Sequence, residues 1–275
     1  MNPLVLALGA SLSWGIADFI GPLLARGLGT LRVLFWAQVG GVVAIAGAVA
    51  VRGAGPGGWA VAWAAAAAVS AGLGIIAYYQ GMSTGTMSVV APIAGASAGI
   101  PVLIGIATGD RPSGTQIAGI VCALVGVVFA SIEHHEGSRR IAAGVGVALL
   151  AAIGFGGYFL PMHAAGHVDF WWASLVFRAT MFILIAGIVA ARRPALRVTR
   201  RELAILLAIG AGDMIGNACF AASSRGGLVS LTAVLASLYP IVTIGLAAAV
   251  LHERVARSQK LGVVLTLTGV ALISV

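Results

Sequence analysis

Three ionisable side chains fall inside apolar runs of this chain: Asp18, Arg178 and Asp213. A charge at bilayer depth costs about 3 kcal/mol even on insertion scales, so each should face a cavity or a partner. Arg178 and Asp213 lie near the middle of their runs, and Asn217 sits one turn beyond Asp213 on the same helical face. Two chemistries fit these residues. In one, Arg178 and Asp213 form a structural ion pair that touches no substrate. In the other, Arg178 takes a carboxylate with both arms of its guanidinium, while Asp213 meets an ammonium or carries a proton. Trp14 stands one turn before Asp18, Tyr78 and Tyr79 close the third run, and Tyr239 lies in the ninth. An aromatic wall of this kind favours flat or apolar compounds and binds cations through ring faces. Tyr78 and Tyr79 also suit an interfacial belt, as do Trp171 and Trp172. Asp18 has a second reading too, as support for a kink at Pro22. The candidate substrate-binding set is Trp14, Asp18, Tyr78, Tyr79, Arg178, Asp213, Asn217 and Tyr239.

Other chemistries find less support. His163, His167 and Asp169 have helical metal-ligand spacing, but no further ligand converges on them, and they read as a solvated loop after Pro161. No metal and no cofactor is expected. The pattern G-x-x-x-x-G-K-[ST] is missing, which argues against direct drive by ATP. An intramembrane enzyme acting on lipid would need paired carboxylates or histidines near one membrane face, and none are grouped that way, so no catalysis is expected. A scaffold or sensor without transport is the remaining class. Cys122 and Cys219 fall inside apolar runs and read as small hydrophobes.

The elements that position these residues are membrane helices. Only 9% of residues are charged against 60% hydrophobic, and mean hydropathy is +1.06; a soluble domain carries about a quarter charged residues. The net charge of +8 sits in short loops, so it reports orientation and lipid headgroups, and no nucleic-acid partner is expected. Apolar runs near 4–24, 33–51, 59–81, 86–108, 114–132, 141–162, 170–191, 202–224, 228–251 and 257–275 mostly reach bilayer-spanning length. The expected fold is therefore an all-α membrane protein of ten transmembrane helices. Residues 109–132 align without gaps on 252–275, with Arg111/Arg254, Gln116/Gln259, Gly119/Gly262, Val121/Val264, Leu124/Leu267, Gly126/Gly269, Val127/Val270 and Ser131/Ser274 identical. Ala10–Gly15 resembles Ala151–Gly156, and Ala71-Gly72 and Ile75 match Ala211-Gly212 and Ile215. The halves, 1–137 and 138–275, are read as one membrane domain of two five-helix repeats. An odd number of helices per repeat makes the copies inverted, and a central cavity between them suits alternating access. The repeat mates of Arg178, Asp213 and Asn217 are Gln38, Leu73 and Ala77, so the site is asymmetric. Loops after odd-numbered helices hold most of the Arg and Lys, including Arg32, Arg192, Arg193 and Arg197, while Arg52, Arg111 and Arg225 follow even-numbered ones. That bias places the first set in the cytoplasm and both termini outside.

Hinges are expected at Pro92, Gly95, Gly99 and Pro101 in the fourth helix and at Pro240 in the ninth, where proline removes a helical hydrogen bond. Gly119/Gly126 and Gly262/Gly269 let the fifth and tenth helices pack closely, within one chain or across a dimer. Ser113 is a candidate N-cap for the fifth helix. Glu133–Arg140 reads as a mixed-charge linker, and Glu253 with Arg257 as the start of the tenth helix.

Ser13-Trp14-Gly15, and His252-Glu253-Arg254 followed by Gln259-x-x-Gly262 and Gly269, carry a family resemblance. The chain resembles the EamA-type carriers of the drug/metabolite transporter superfamily over nearly its whole length. His252 replaces the family's usual glycine, and Gly109-Asp110-Arg111 departs further. The resemblance implies ten helices around a central cavity, in a multi-pass protein of a bacterial inner (plasma) membrane. It implies export of metabolites such as amino acids or drugs, and the aromatic residues lean toward exporters of aromatic and hydrophobic amino acids. A proton-coupled multidrug exporter of cationic aromatic compounds is the alternative. The expected partners are a small-molecule substrate and the lipid bilayer, with the working unit a monomer or homodimer.

Overall fold

Long runs of Ala, Val, Leu and Ile leave the backbone one way to satisfy its own N–H and C=O groups in lipid, which is helix. A computed structural model describes residues 2–56, 58–84, 96–131, 141–223, 225–226, 228–250 and 257–273, and its regular elements are all helical. In chain order they are α1 (Pro3–Leu28), α2 (Thr30–Arg52), α3 (Trp63–Thr84), α4 (Gly99–Thr108), α5 (Gly114–Ser131), α6 (Ile141–Arg192), α7 (Arg200–Ser223), α8 (Val229–Ala236), α9 (Tyr239–Val250) and α10 (Arg257–Ile273). Six stretches among the described residues are long and apolar enough to cross a bilayer: 3–25, 30–52, 59–78, 149–192, 200–223 and 229–250. Shorter apolar helices cover 99–108 and 114–129. Pro92, Gly95, the linker 133–140, Glu253 and the side chain of Tyr79 lie outside the described residues.

Local chemistry sets the helix ends. Ser113 and Gln116 cap α5 reciprocally, through Gln116 N–H to Ser113 Oγ (3.2 Å) and Ser113 N–H to Gln116 Oε1 (3.0 Å). Thr199 and Glu202 repeat the arrangement at α7. Gly29, at φ +86°, lets α1 stop and α2 start within one residue.

Three expectations about the runs are corrected. Residues 163–169 are not a solvated loop: α6 is helical through 168 and departs from helical geometry only at Asp169 (φ −154°, ψ 100°). The sequence 163–168 contains no proline, its Gly166 lets the helix pack closely on Ala221, and Asp169 itself accepts from the N–H groups of Trp171 (3.0 Å) and Trp172 (3.3 Å), which caps the second arm of α6. The two arms fold back on each other, because neighbouring residues of α3 touch both. Gly74 packs on Gly154-Phe155 of the first arm, and Gly72 on Met181 and Leu184 of the second. Pro101 does not interrupt a helix: it sits in the first turn of α4, where no hydrogen bond is lost. The ninth run is divided, with a turn at Ser237-Leu238 separating α8 from α9 just before Pro240.

The last helices of the two repeats run antiparallel. A Cβ on Gly119 would stand 2.8 Å from the carbonyl oxygen of Gly269, and one on Gly126 2.7 Å from that of Gly262. Gly119 and Gly262 are repeat mates, as are Gly126 and Gly269, so each copy's first glycine meets the other copy's second. The glycine faces close α5 on α10 within one chain. A further repeat match was overlooked in the sequence. Ile45-Ala46-Gly47-x-Val49-Ala50-x-Arg52 recurs as Ile185-Ala186-Gly187-x-Val189-Ala190-x-Arg192, at a shift of 140 residues.

The loops gather at two ends. At one end Arg52 binds Asp169, Trp172 Nε1 donates to the carbonyl of Ala54 (2.8 Å), and Ser230 N–H donates to Asp110 Oδ2 (2.8 Å). At the other, Arg32 Nε and Trp36 Nε1 donate to the carbonyls of Ala195 (2.6 Å) and Leu196 (2.9 Å). The two ends thus separate the Arg-poor loops from the Arg-rich ones.

Candidate functional site

Arg178 sits midway along the second arm of α6 and is 2% exposed. Every nitrogen of its guanidinium has a protein partner. Nη2 forms an ion pair with Asp213 Oδ2, Nη1 donates to Gln38 Oε1 (2.8 Å), and Nε lies 3.4 Å from Met214 Sδ. Gly41 makes the room, since a Cβ there would stand 2.8 Å from Nε. Gln38 is the repeat mate of Arg178, so the bond between them marks where the two copies of the second helix meet face to face. Buried charge of this kind is tolerated only when fully partnered.

From Asp213 the network climbs α7. Asn217 donates Nδ2 to the carbonyl of Asp213 (2.8 Å), and Tyr158 OH lies 3.0 Å from Asn217 Oδ1. Tyr158 is 5% exposed, and its ring meets Trp14 edge-on at 5.9 Å. Trp14 also stands edge-on to Tyr239 at 6.4 Å. It lies against α7 where residue 216 is glycine, a Cβ there being 2.6 Å from its indole. Ser13 Oγ donates to the carbonyl of Gly212 beside it, and Thr243 Oγ1 to that of Gly15 (3.1 Å). α1, α7 and α9 are thereby tied around one spot.

Asp18 completes the group. It is exposed, yet it does not share the lipid-facing stripe of α1, which is Val5, Leu8, Leu12 and Ile16. At 3.6 residues per turn it lies roughly 120° round the helix from that stripe. Its exposure is therefore into space between helices, within electrostatic reach of Asp213 and of Tyr239. The Asp213 side chain is 33% exposed. Tyr78 lies within electrostatic reach of Tyr239, and its ring meets Phe155 at a tilt with centroids 5.8 Å apart. Seven of the eight residues singled out in the sequence thus gather in one region: Trp14, Asp18, Tyr78, Arg178, Asp213, Asn217 and Tyr239. Among the described residues no cation is bonded to Asp18, whereas Arg178 is wholly engaged. The cluster therefore offers an open carboxylate in an aromatic setting.

Tyr158 and Phe155 were missed in the sequence. A tyrosine in mid-run must find a partner for its hydroxyl, and that requirement was the available signal for Tyr158. The latch between Arg52 and Asp169 was missed as well: Arg52 Nη1 lies 2.7 Å from both Asp169 oxygens, and Asp169 is 2% exposed.

Apolar helices of spanning length, duplicated in one chain around a buried polar cluster, define a multi-pass membrane transporter. The EamA-like transporter family matches residues 1–132 and again 142–275. The chain belongs to that family, a member of the drug/metabolite transporter superfamily, and its two matched segments are the two repeats. One solved crystal structure shares 16% identity over 99% of this chain and 98% of its own, with a TM-score of 0.80; at that identity the likeness carries the fold alone. No curated protein matches the chain.

Proposed function

We propose that the protein is a secondary transporter that exports small amphipathic amines, compounds with a cationic nitrogen and an apolar or aromatic body. The observation that carries this reading is the exposed, unpaired carboxylate of Asp18 beside Trp14 and Tyr239. An ammonium there gains a charge-assisted hydrogen bond and an aromatic face. Because Asp213 is already paired with Arg178, Asp18 is the carboxyl left to meet a cation. Aromatic and hydrophobic amino acids are substrates on this reading through their ammonium group. Cationic aromatic drugs are the second reading, favoured because Arg178 is closed to a substrate carboxylate.

The proposed frame is ten passes, the two arms of α6 counting as two and α8–α9 as one broken pass. They form inverted halves, 1–137 and 138–275, around a central chamber. Alternating access would rock the halves at the break before Pro240 and around Gly99 and Pro101. We place the Arg-rich end in the cytoplasm of a bacterial inner membrane, with the working unit a monomer or homodimer. Proteoliposomes holding the pure chain, given labelled phenylalanine, its decarboxylated amine and a quaternary aromatic cation, test the proposal. Flux of the amine with a marked loss in Asp18→Asn supports it. Flux only of anions, or none of any compound, sinks it.

A further inference from the structure

The two repeats end differently. At one end Arg52, the last residue of α2, holds Asp169, which also caps the second arm of α6. At the shift of 140 that aligns Ile45–Arg52 with Ile185–Arg192, the mates of Arg52 and Asp169 are Arg192 and Gly29. Arg192 is thus the same cation at the opposite end, and its partner position holds a glycine. It is exposed, and no side chain among the described residues bonds to it. Arg32 nearby is engaged by the carbonyl of Ala195. Beside Arg192 a groove of about 210 Å³ opens between α2, α3 and the second arm of α6, walled by Leu34, Ile75, Ile76, Ile185 and Ile188. A second hollow of about 290 Å³ shares Thr30 and Leu31 with it and reaches Pro194-Ala195.

We propose that this groove is a binding site for an anionic phospholipid, with the phosphate on Arg192 and an acyl chain along the isoleucines. Charge complementarity carries the choice of occupant. No acidic side chain lines either hollow, and Arg193, next to Arg192, is exposed. The apolar stretches 30–52 and 149–192 begin and end here, so Arg192 lies at headgroup depth while the groove runs toward the acyl region. A guanidinium fork matches phosphate oxygens in pairs. Basic pockets between membrane helices take anionic headgroups for this reason. The lipid phosphate does for Arg192 what the Asp169 carboxylate does for Arg52.

Native mass spectrometry of the purified full chain, equilibrated with equal phosphatidylglycerol and phosphatidylcholine in mixed micelles, tests the site. The wild type should retain phosphatidylglycerol over phosphatidylcholine by about fivefold, because choline cancels the phosphate charge of the second lipid while the first stays net negative toward Arg192. Arg192→Gln should bring the ratio near one, and Arg197→Gln should leave it unchanged. Ile76→Trp, at an exposed position of the groove wall, fills the groove without changing charge and should lose the retained lipid. Equal preference in Arg192→Gln and wild type, unchanged retention in Ile76→Trp, or displacement of the lipid by millimolar inorganic phosphate would each overturn the proposal. Should Arg192→Gln fail to fold, Ile76→Trp decides alone.

Discussion

Replacing Asp213 by Asn removes the carboxylate bonded to Arg178. The guanidinium is 2% exposed and would keep Gln38 Oε1 and Met214 Sδ as its partners. Stranding a buried charge costs about 3–5 kcal/mol. Water reaches the Asp213 side, which is 33% exposed, so the lower figure of about 3 kcal/mol applies. An unfolding entropy of about 2.1 cal/mol/K per residue gives a 275-residue chain a shift of about 1.7 °C per kcal/mol. Asp213→Asn should therefore lower Tm by about 5 °C. Removing both charges should cost much less, because exchanging a whole buried pair for apolar side chains is close to neutral. Arg178→Met with Asp213→Leu is that exchange, and Asn217 keeps its bond to the carbonyl of residue 213. Thermal unfolding of the wild type, both single variants and the double variant in one detergent measures the cycle. A loss under about 2 °C in Asp213→Asn, or a double variant as damaged as the sum of the singles, would refute the reading of this pair as a closed unit. Either result would reopen Arg178 to substrate carboxylates.

Asp18→Asn should leave Tm within about 1 °C, because an exposed carboxylate without a partner holds nothing together; amine flux should fall about ten- to a hundredfold, the worth of a charge-assisted bond. Gly119→Leu or Gly269→Leu should cost at least about 1–3 kcal/mol, since a Cβ at 269 already stands 2.5 Å from the Ala123 nitrogen and no rotamer relieves a backbone clash; thermal unfolding reads this. Gly47→Ala and Gly187→Ala meet nothing within 4 Å and should each stabilise by about 0.5–1 kcal/mol through helix propensity. Asp169→Ala should cost about 2–3 kcal/mol, from the lost cap and the lost bond to Arg52. Thermal unfolding reads this as well, and a loss under about 1 kcal/mol would count against the latch.

The repeat was legible because close packing of α5 on α10 allows only small residues at four places, and those glycines survive in both copies. The charged trio was legible because ionisable groups inside apolar runs are rare. What could not be read was how partners divide. Two carboxylates and one guanidinium allow several pairings, and only the placement of α1 against α7 leaves Asp18 open while Asp213 is taken. The kink at Asp169 was hidden for a different reason. A buried capping aspartate and a loop aspartate look alike in sequence, and its neighbours His163 and His167 drew attention to metal spacing. The division of the ninth run left one visible trace, Pro240, but the turn itself is made by Ser237 and Leu238, which are ordinary helix residues by composition.

Duplication explains the frame, and the departures from it explain the chemistry. Wherever the copies agree, as at Gly119/Gly262, Gly126/Gly269 and Arg52/Arg192, the residues shape helix packing or mark helix ends. At three places where they disagree, one copy is neutral and the other charged: Gln38 against Arg178, Gly29 against Asp169, Leu73 against Asp213. Two identical copies would place like charges opposite each other on the pseudo-two-fold axis, and an Arg at both 38 and 178 would put two buried guanidinium groups in contact. Neutral glutamine in one copy removes that repulsion and supplies an acceptor for the other copy's Nη1. The same asymmetry makes the ends unequal, because the bond from Arg52 to Asp169 has no counterpart between Arg192 and Gly29. On the proposed rocking mechanism those two ends open in turn, so the exchange would require breaking a protein ion pair on one side and rearranging lipid on the other.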